Sequence, residues 1–92
     1  INNMKAQIIN TNAQVKSVKP KQNNVFNLKE LQGFVGGYIQ IVKTRDERIM
    51  VINEEAKIIN LPYNEIATSL YVYGNHDHIH GDVIVMDRKM MQ

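Results

Sequence analysis

The stretch "LQGFVGGYIQIV", residues 31–42, changes its hydrophobic period at two adjacent glycines, Gly36 and Gly37. Before the glycines, apolar side chains recur every three or four residues, as on one face of a helix. After them, Ile39 and Ile41 alternate with their neighbours, as on the two faces of a strand. Glycine closes a helix in the left-handed conformation without a steric cost. The stretch therefore predicts a helix that ends and a strand that begins.

The expected helix also has a start signal, at Asn27. Its side chain can accept hydrogen bonds from the first-turn amides, and Glu30 three residues later can complete a capping box. The apolar stripe consists of Leu28, Leu31, Phe34 and Val35. The two glycines follow the helix instead of preceding it, so they form no phosphate-binding loop and need no ligand to explain them.

The remaining elements are read from turn residues and short β-prone runs. We expect a hairpin from strands 4–10 and 13–19, strands 38–43 and 48–53, a short strand 57–59, a helix 65–73 capped by Asn64 and ended by Gly74, and a final strand 82–86. The order ββαβββαβ predicts an α+β domain with a mainly antiparallel sheet of five or six short strands and two short helices on one face.

Length and composition limit the class of protein. The 92 residues suit a single domain, 1–92, with residues 1–3 a cloning remnant ahead of Met4 and residues 88–92 a flexible tail. The net charge is +2, and the absence of cysteine excludes disulfides and thiolate chemistry. No apolar run approaches the ~20 residues of a membrane span. We expect a cytoplasmic protein without a membrane partner.

The predicted sheet has a second face. Tyr38, Val42, Met50 and the final strand would leave that face apolar. Exposed apolar sheet faces usually meet a partner, so we expect a homo-oligomer, most simply a homodimer.

Histidines alternate in "NHDHIHGD", where His78 and His80 would share one face of an extended segment and could chelate zinc or nickel. Structural zinc sites normally draw their ligands from two separated pairs, so solvated side chains are the alternative that we favour.

Glu54 and Glu55 are adjacent in a turn and cannot both face one pocket. No nucleophile stands in a catalytic motif. We expect no cofactor and no enzymatic activity.

Basic residues form two groups. Lys16 and Lys19 lie in the amino-terminal quarter, and Arg45 and Arg48 flank a turn where their guanidinium forks suit a phosphate. With Tyr38 and Tyr63, these are the candidate ligand-binding or partner-binding residues. Solvated loops are the alternative that we favour, and no stacking platform for a single-stranded nucleic acid is evident.

The ordered segments "ELQGFVGGYIQIV", "IMVINEEAKI", "LPYNEIAT" and "GDVIV" resemble a phage- and plasmid-encoded family, domain of unknown function 3846. The likeness extends from Met4 to Asp87 and implies a single domain carried by bacteriophages and conjugative elements, without an established activity. It places Asn53 and Asn64 in matching motif positions, as turn and cap residues or as amides offered to a ligand. Ala13 and Ala56 depart from the expected glycines, and the histidines do not match the family pattern.

Two functions are compatible with these observations. The first is a non-enzymatic binding protein of a bacteriophage or mobile element that counters a host defence by sequestering a defence protein or a nucleotide signal. The alternative is a nucleic-acid-associated accessory protein of the element. The sequence leaves the ligand, the host partner and the oligomer symmetry open.

Overall fold

Two β-hairpins and the strand between them form one antiparallel sheet in the computed structural model, which describes residues 5–91. The elements are β1 (Ala6–Ile9), β2 (Val15–Val18), α1 (Leu28–Val35), β3 (Ile39–Lys43), β4 (Ile49–Asn53), α2 (Glu65–Leu70), β5 (Val83–Met86) and a 3-10 turn (Arg88–Met90). The spatial order is β2-β1-β5-β4-β3. The predicted α+β class with a mainly antiparallel sheet is confirmed. The expectations about residues 1–3, Met4 and Gln92 lie outside the described residues.

The first helix follows its sequence signals closely. The Asn27 Oδ1 accepts a hydrogen bond from the Glu30 N–H at 2.8 Å, and the Glu30 carboxylate accepts one from the Asn27 N–H at 3.0 Å. This is the predicted capping box. Gly36 ends the helix with φ of 81° and donates to the Gln32 carbonyl at 2.8 Å. Glycine is favoured there because a Cβ would strain that left-handed conformation.

The two helices lie on opposite faces of the sheet, not on one face as expected. Along β4, Ile49 and Val51 pack with α1, while Met50 between them packs with Ala67 of α2. In β5, Ile84 and Met86 face α1 while Val83 and Val85 face α2. Successive strand side chains point to opposite faces, so these two strands are buried on both sides. The physical reason is their continuous apolar sequence, which requires two covering layers.

The second face of the sheet is therefore covered within the chain. Met50, Val83 and Val85 are fully buried beneath α2 and the segment that carries Ile79. The open apolar face from which we argued for an oligomer does not exist at these positions. Tyr38, by contrast, is 65% exposed at the margin of the sheet.

Residues 57–59, expected as a short strand, form consecutive turns. Ile58 is 78% exposed, so its side chain lacks the burial that makes a β-branched residue favourable in a strand. The second helix ends at Leu70 instead of continuing to residue 73. The segment after it pairs with the end of β3, where the Val72 N–H donates to the Lys43 carbonyl at 3.0 Å.

Met90 belongs to the hydrophobic core, although residues 88–92 were expected to form a flexible tail. Met90 is 1% exposed, and its carbonyl accepts a hydrogen bond from the Phe26 N–H at 2.7 Å.

Ala13 adopts φ of 69°, the left-handed conformation suspected from the sequence, whereas Ala56 has no positive φ. No helix among residues 5–91 is long and apolar enough to cross a bilayer.

Candidate functional site

A basic cleft of about 480 Å³ lies at the end of the β3–β4 hairpin. It is lined by Lys43, Thr44, Arg45, Glu47, Arg48, Ile49, Val72 and Arg88. Half of these residues are cationic, and only one is acidic. The volume falls within the range of small-molecule sites, about 300–1,000 Å³. We call these eight residues the basic cleft.

The turn between β3 and β4 gives the basic cleft its shape. Thr44 is 3% exposed, and its hydroxyl donates to the Asp46 carboxylate and accepts from the Arg48 N–H at 2.9 Å. The Thr44 N–H donates to the Arg48 carbonyl at 3.0 Å, which closes the turn. This buried hydroxyl thereby fixes the backbone that carries both Arg45 and Arg48.

Arg48 is held by an ion pair with Asp46. The Arg48 Nη2 lies 2.7 Å and the Nε 2.9 Å from the same carboxylate oxygen, Oδ2 of Asp46. The hydrogen bond from Arg48, followed by the one from Thr44, lowers the pKa of Asp46 to about 2. The carboxylate is therefore ionised at neutral pH and orients the guanidinium at the rim of the cleft.

Arg45 serves the second helix as well as the cleft. Its Nε donates to the Ser69 carbonyl at 3.2 Å, and its Nη2 lies 3.4 Å from the Asn75 Oδ1. The guanidinium thus bonds a carbonyl in the last turn of α2, where a cation is favourable. Lys43 and Arg88 have no hydrogen-bonded or ionic side-chain partner among residues 5–91. They are the cations of the cleft that remain available to an anion.

The two basic groups predicted from the sequence do not meet. Arg45 and Arg48 lie together beside β3, but Lys16 lies on β2 and Lys19 just after it, both exposed. β2 and β3 are the opposite edges of the five-stranded sheet. At about 4.8 Å per strand, these edges are roughly 19 Å apart.

A second, smaller cleft of about 140 Å³ lies on the α2 face. Its lining includes the predicted residues Asn53, His78 and His80, and also Gln40 and Val42 of β3. Tyr63 lies beside the two histidines, with ring centroids 5.2 Å from His78 and 6.0 Å from His80. Within residues 5–91, no three His, Cys, Asp or Glu side chains are placed to hold a metal ion. This volume is below that of usual small-molecule sites.

An ion pair and a contact between a histidine ring and the backbone lie at the rim of this smaller cleft. Lys57 pairs with Asp77, and its hydrogen bond is the main cause that lowers the pKa of the Asp77 carboxyl. The Nδ1 of His80 lies 2.9 Å from the Leu61 carbonyl oxygen. His80 is therefore fixed by the backbone, whereas Tyr63 and His78 are exposed.

The two candidate asparagines are buried and use their amides within the protein. Asn53, 3% exposed, donates from Nδ2 to the Val35 carbonyl at 3.1 Å and accepts from the Glu55 N–H at 2.8 Å. Asn64, 1% exposed, caps α2 by accepting from the Ala67 N–H at 3.0 Å. The structure assigns both side chains turn and cap geometry, the first of the two interpretations of their motif positions.

Lys43 and Arg88 were missed as site residues from the sequence. They come together because Ile49 pairs with Lys43 on one side and with Met86 on the other. Arg88 follows Met86 by two residues, so it reaches the same corner of the sheet. The strand order was the missing information, since β5 and β3 are both neighbours of β4.

Comparison with known families gives a match over most of the chain. The profile of the family described as Domain of unknown function (DUF3846) matches residues 4–90. Neither a curated protein nor a solved structure matches the chain.

Proposed function

We propose that this chain, which belongs to the family described as Domain of unknown function (DUF3846), is a non-enzymatic binding protein that holds a compact phosphate-bearing ligand in the basic cleft. The observation that carries the proposal is the convergence of four cationic side chains, with a single acidic one, on a volume of about 480 Å³. Phosphate oxygens accept the charge-assisted hydrogen bonds that Arg and Lys offer.

The electrostatics of the cleft favour binding over catalysis. The carboxylate beside the cleft, Asp46, has a pKa lowered to about 2 by its arginine partner. A general base works best with a pKa near the operating pH. Asp46 is instead a permanent counter-charge that positions Arg48, and Lys43 and Arg88 supply the positive potential that a ligand would neutralise.

A nucleotide signal is the ligand class that fits this proposal. It combines a phosphate with a planar aromatic base, and the cleft offers the exposed side chain of Val72 beside its cations. The resemblance to a phage- and plasmid-encoded family suggests the biological setting. In that setting the chain would act in the cytoplasm of a bacterial host and remove the signal from a defence system, on behalf of a bacteriophage or other mobile element.

A compact ligand is favoured over a long nucleic acid. Duplexes and single strands need cations along a continuous groove. Here Lys16 and Lys19 lie at one edge of the sheet and the basic cleft at the other. An accessory protein that coats DNA or RNA would instead show affinity that falls steeply with added salt across many phosphate contacts.

The direct test is a titration with a panel of cyclic mononucleotides and cyclic dinucleotides, followed by calorimetry and by thermal unfolding. One member of the panel should bind and raise the unfolding temperature, because a ligand that binds only the folded state stabilises it. If no member binds, the nucleotide proposal is refuted, and sequestration of a defence protein becomes the better form of the function.

Two charge reversals locate the ligand that the panel identifies. Lys43→Glu and Arg88→Glu should each weaken binding by about tenfold or more, because a charge-assisted hydrogen bond contributes about 1.5–3 kcal/mol. The matched control is Lys19→Glu, the same reversal at the far edge of the sheet. Equal losses in all three variants would indicate nonspecific attraction and would contradict a site in the cleft.

A further inference from the structure

The outer edge of β3 presents backbone groups without a partner. The Thr44 N–H donates to Arg48, and the Glu54 N–H donates to the Tyr38 carbonyl. In an antiparallel pair, residues that bond across the ladder alternate with residues that do not. Even-numbered residues from 38 to 44 therefore face β4, and Ile39 and Ile41 direct their N–H and C=O groups outward. Those groups have no partner among residues 5–91.

The open part of this edge is limited at both ends. The Lys43 carbonyl already accepts from the Val72 N–H, and the Gly37 N–H donates to the Gln32 carbonyl. Within residues 37–43, only Ile39 and Ile41 have both an outward N–H and an outward C=O without a partner among the described residues. The side chains from Tyr38 to Val42 carry no charge, and Tyr38 and Ile41 are 65% and 42% exposed.

We propose that the occupant of this edge is a second copy of the chain, paired antiparallel through β3 across a two-fold axis. The inference is independent of the basic cleft. Ile39 of each copy would exchange both backbone hydrogen bonds with Ile41 of the second copy, which uses the N–H and C=O groups of both residues and no group already bonded. The two five-stranded sheets would then form one continuous sheet of ten strands.

This register determines which side chains meet. Gln40 lies on the axis, opposite Gln40 of the second copy, in a non-hydrogen-bonded pair with closely spaced side chains. Tyr38 lies opposite Val42 of the second copy, on the α2 face. An exposed aromatic ring thus gains a β-branched neighbour, the kind of cross-strand contact that stabilises sheets.

The other edge of the sheet explains why a second copy is expected at β3. On β2 the same reasoning leaves Val15 and Ser17 facing outward, because Asn10 bonds with Gln14 across the first hairpin. Self-pairing there would place Lys16 opposite Lys16 on the axis. Lysine on an edge strand is a common device against pairing, and like charges directly opposite destabilise a sheet. Of the two edges, β2 is protected and β3 is self-complementary.

The pairing would also complete the smaller cleft. Gln40 and Val42 line that cleft, and Val42 lies opposite Tyr38 of the second copy. The partner's ring would therefore reach the rim of a cleft that a single chain leaves open, so each cleft would be built from two subunits.

A charge exchange on the axis tests the proposal, with the mass in solution measured by light scattering and by native mass spectrometry. The wild-type chain should have twice its 10.6 kDa monomer mass. Gln40→Lys and Gln40→Glu should each be monomeric, because a charge at the axis lies directly opposite the same charge of the second copy. An equimolar mixture of the two variants should recover the dimer mass. The matched control, Ser17→Lys on the other edge, should stay dimeric.

A crosslink provides the second readout. The chain has no cysteine, so Gln40→Cys should form one disulfide-linked dimer on mild oxidation, while Ser17→Cys should not. A wild-type chain that is monomeric even at millimolar concentration would overturn the proposal. Single Gln40 variants that both remain dimeric, or a mixture that fails to pair, would overturn it as well.

Discussion

The Nδ2 of Asn64 donates a hydrogen bond at 3.0 Å to the carbonyl oxygen of Ile9, which lies 55 positions earlier in the chain. The same nitrogen donates at 2.9 Å to the Gly81 carbonyl, and the Oδ1 accepts from the Ala67 N–H. Asn64 is 1% exposed, so both carbonyls depend on it in place of water. One buried amide thus joins β1, α2 and the segment before β5.

Asn64→Asp should destabilise the protein by about 3 kcal/mol at neutral pH. Aspartate keeps the capping acceptor, but it cannot donate to the two buried carbonyls and brings an unpaired charge against them. The control is Asn27→Asp, at the exposed cap of α1, where the side chain only accepts. That change should stay within about 0.5 kcal/mol. Urea unfolding followed by circular dichroism measures both, and equal losses would contradict the role of the two donors.

Two glycines should respond in opposite directions to alanine. Gly81 has φ of 85°, and a Cβ there would lie 2.8 Å from the Leu61 Cδ1, so Gly81→Ala should destabilise by about 1–3 kcal/mol. Gly33 lies in α1, and a Cβ added there would meet only open space, so Gly33→Ala should stabilise by about 0.5–1 kcal/mol. Thermal unfolding of the two variants gives the sign directly. A stabilising Gly81→Ala would show that the turn at Gly81 differs from the one described.

Substitution by glycine should change the stability of the protein in opposite directions at Ala13 and Ala56. Ala13 has φ of 69°, so Ala13→Gly should relieve the left-handed conformation and stabilise by up to about 1 kcal/mol. Ala56 is buried without a positive φ, so Ala56→Gly should destabilise by about 1 kcal/mol. Chemical denaturation checks both signs. If both variants are less stable than the wild type, the backbone strain at Ala13 is negligible.

Acid should weaken the β3–β4 turn through Asp46. Its pKa is lowered to about 2 in the folded chain, from an ordinary value of 3.8. A lowered pKa stabilises the fold above the unfolded-state value, and the contribution is lost as the pH falls through the folded-state value. The difference in unfolding free energy between wild type and Asp46→Asn should therefore be constant above about pH 5 and shrink toward pH 2. Because about half of the Asp46 side chain is exposed, added salt should reduce this difference in unfolding free energy.

The neighbouring Glu47→Gln variant is the control for this pH profile. Glu47 lies in the same turn and forms no ion pair among the described residues. Its unfolding free energy should follow the wild-type profile between pH 5 and pH 2. If Asp46→Asn and wild type also remain parallel down to pH 2, the Arg48 ion pair contributes nothing to the fold.

The sequence predicts the elements of this fold better than their arrangement. The capping box at Asn27, the end of α1 at Gly36 and the two faces of β3 all depend on neighbours within a few residues, and all are confirmed. The placement of α2 depends on which face of a doubly apolar strand it covers. In β4 and β5 both faces are apolar, which indicated a second apolar face but not that α2 covers it.

For the same reason, the sequence predicted only part of the candidate site. Arg45 and Arg48 share one turn, and local spacing placed them together correctly. Arg88 joins them through strand order, and Lys16 is separated from them by it. Non-local pairing decided both outcomes, and no single stretch of sequence records it.

The middle strand of the sheet, β5, follows the other four strands along residues 5–91. On the ribosome, both hairpins emerge before the strand that unites them, and an isolated two-stranded hairpin is marginally stable in water. The side chains of Ile49 and Met50 therefore stay exposed to water until β5 has been translated. The sheet should fold only after β5 has emerged from the ribosome, and chaperones that bind apolar nascent segments would bind this protein before that point.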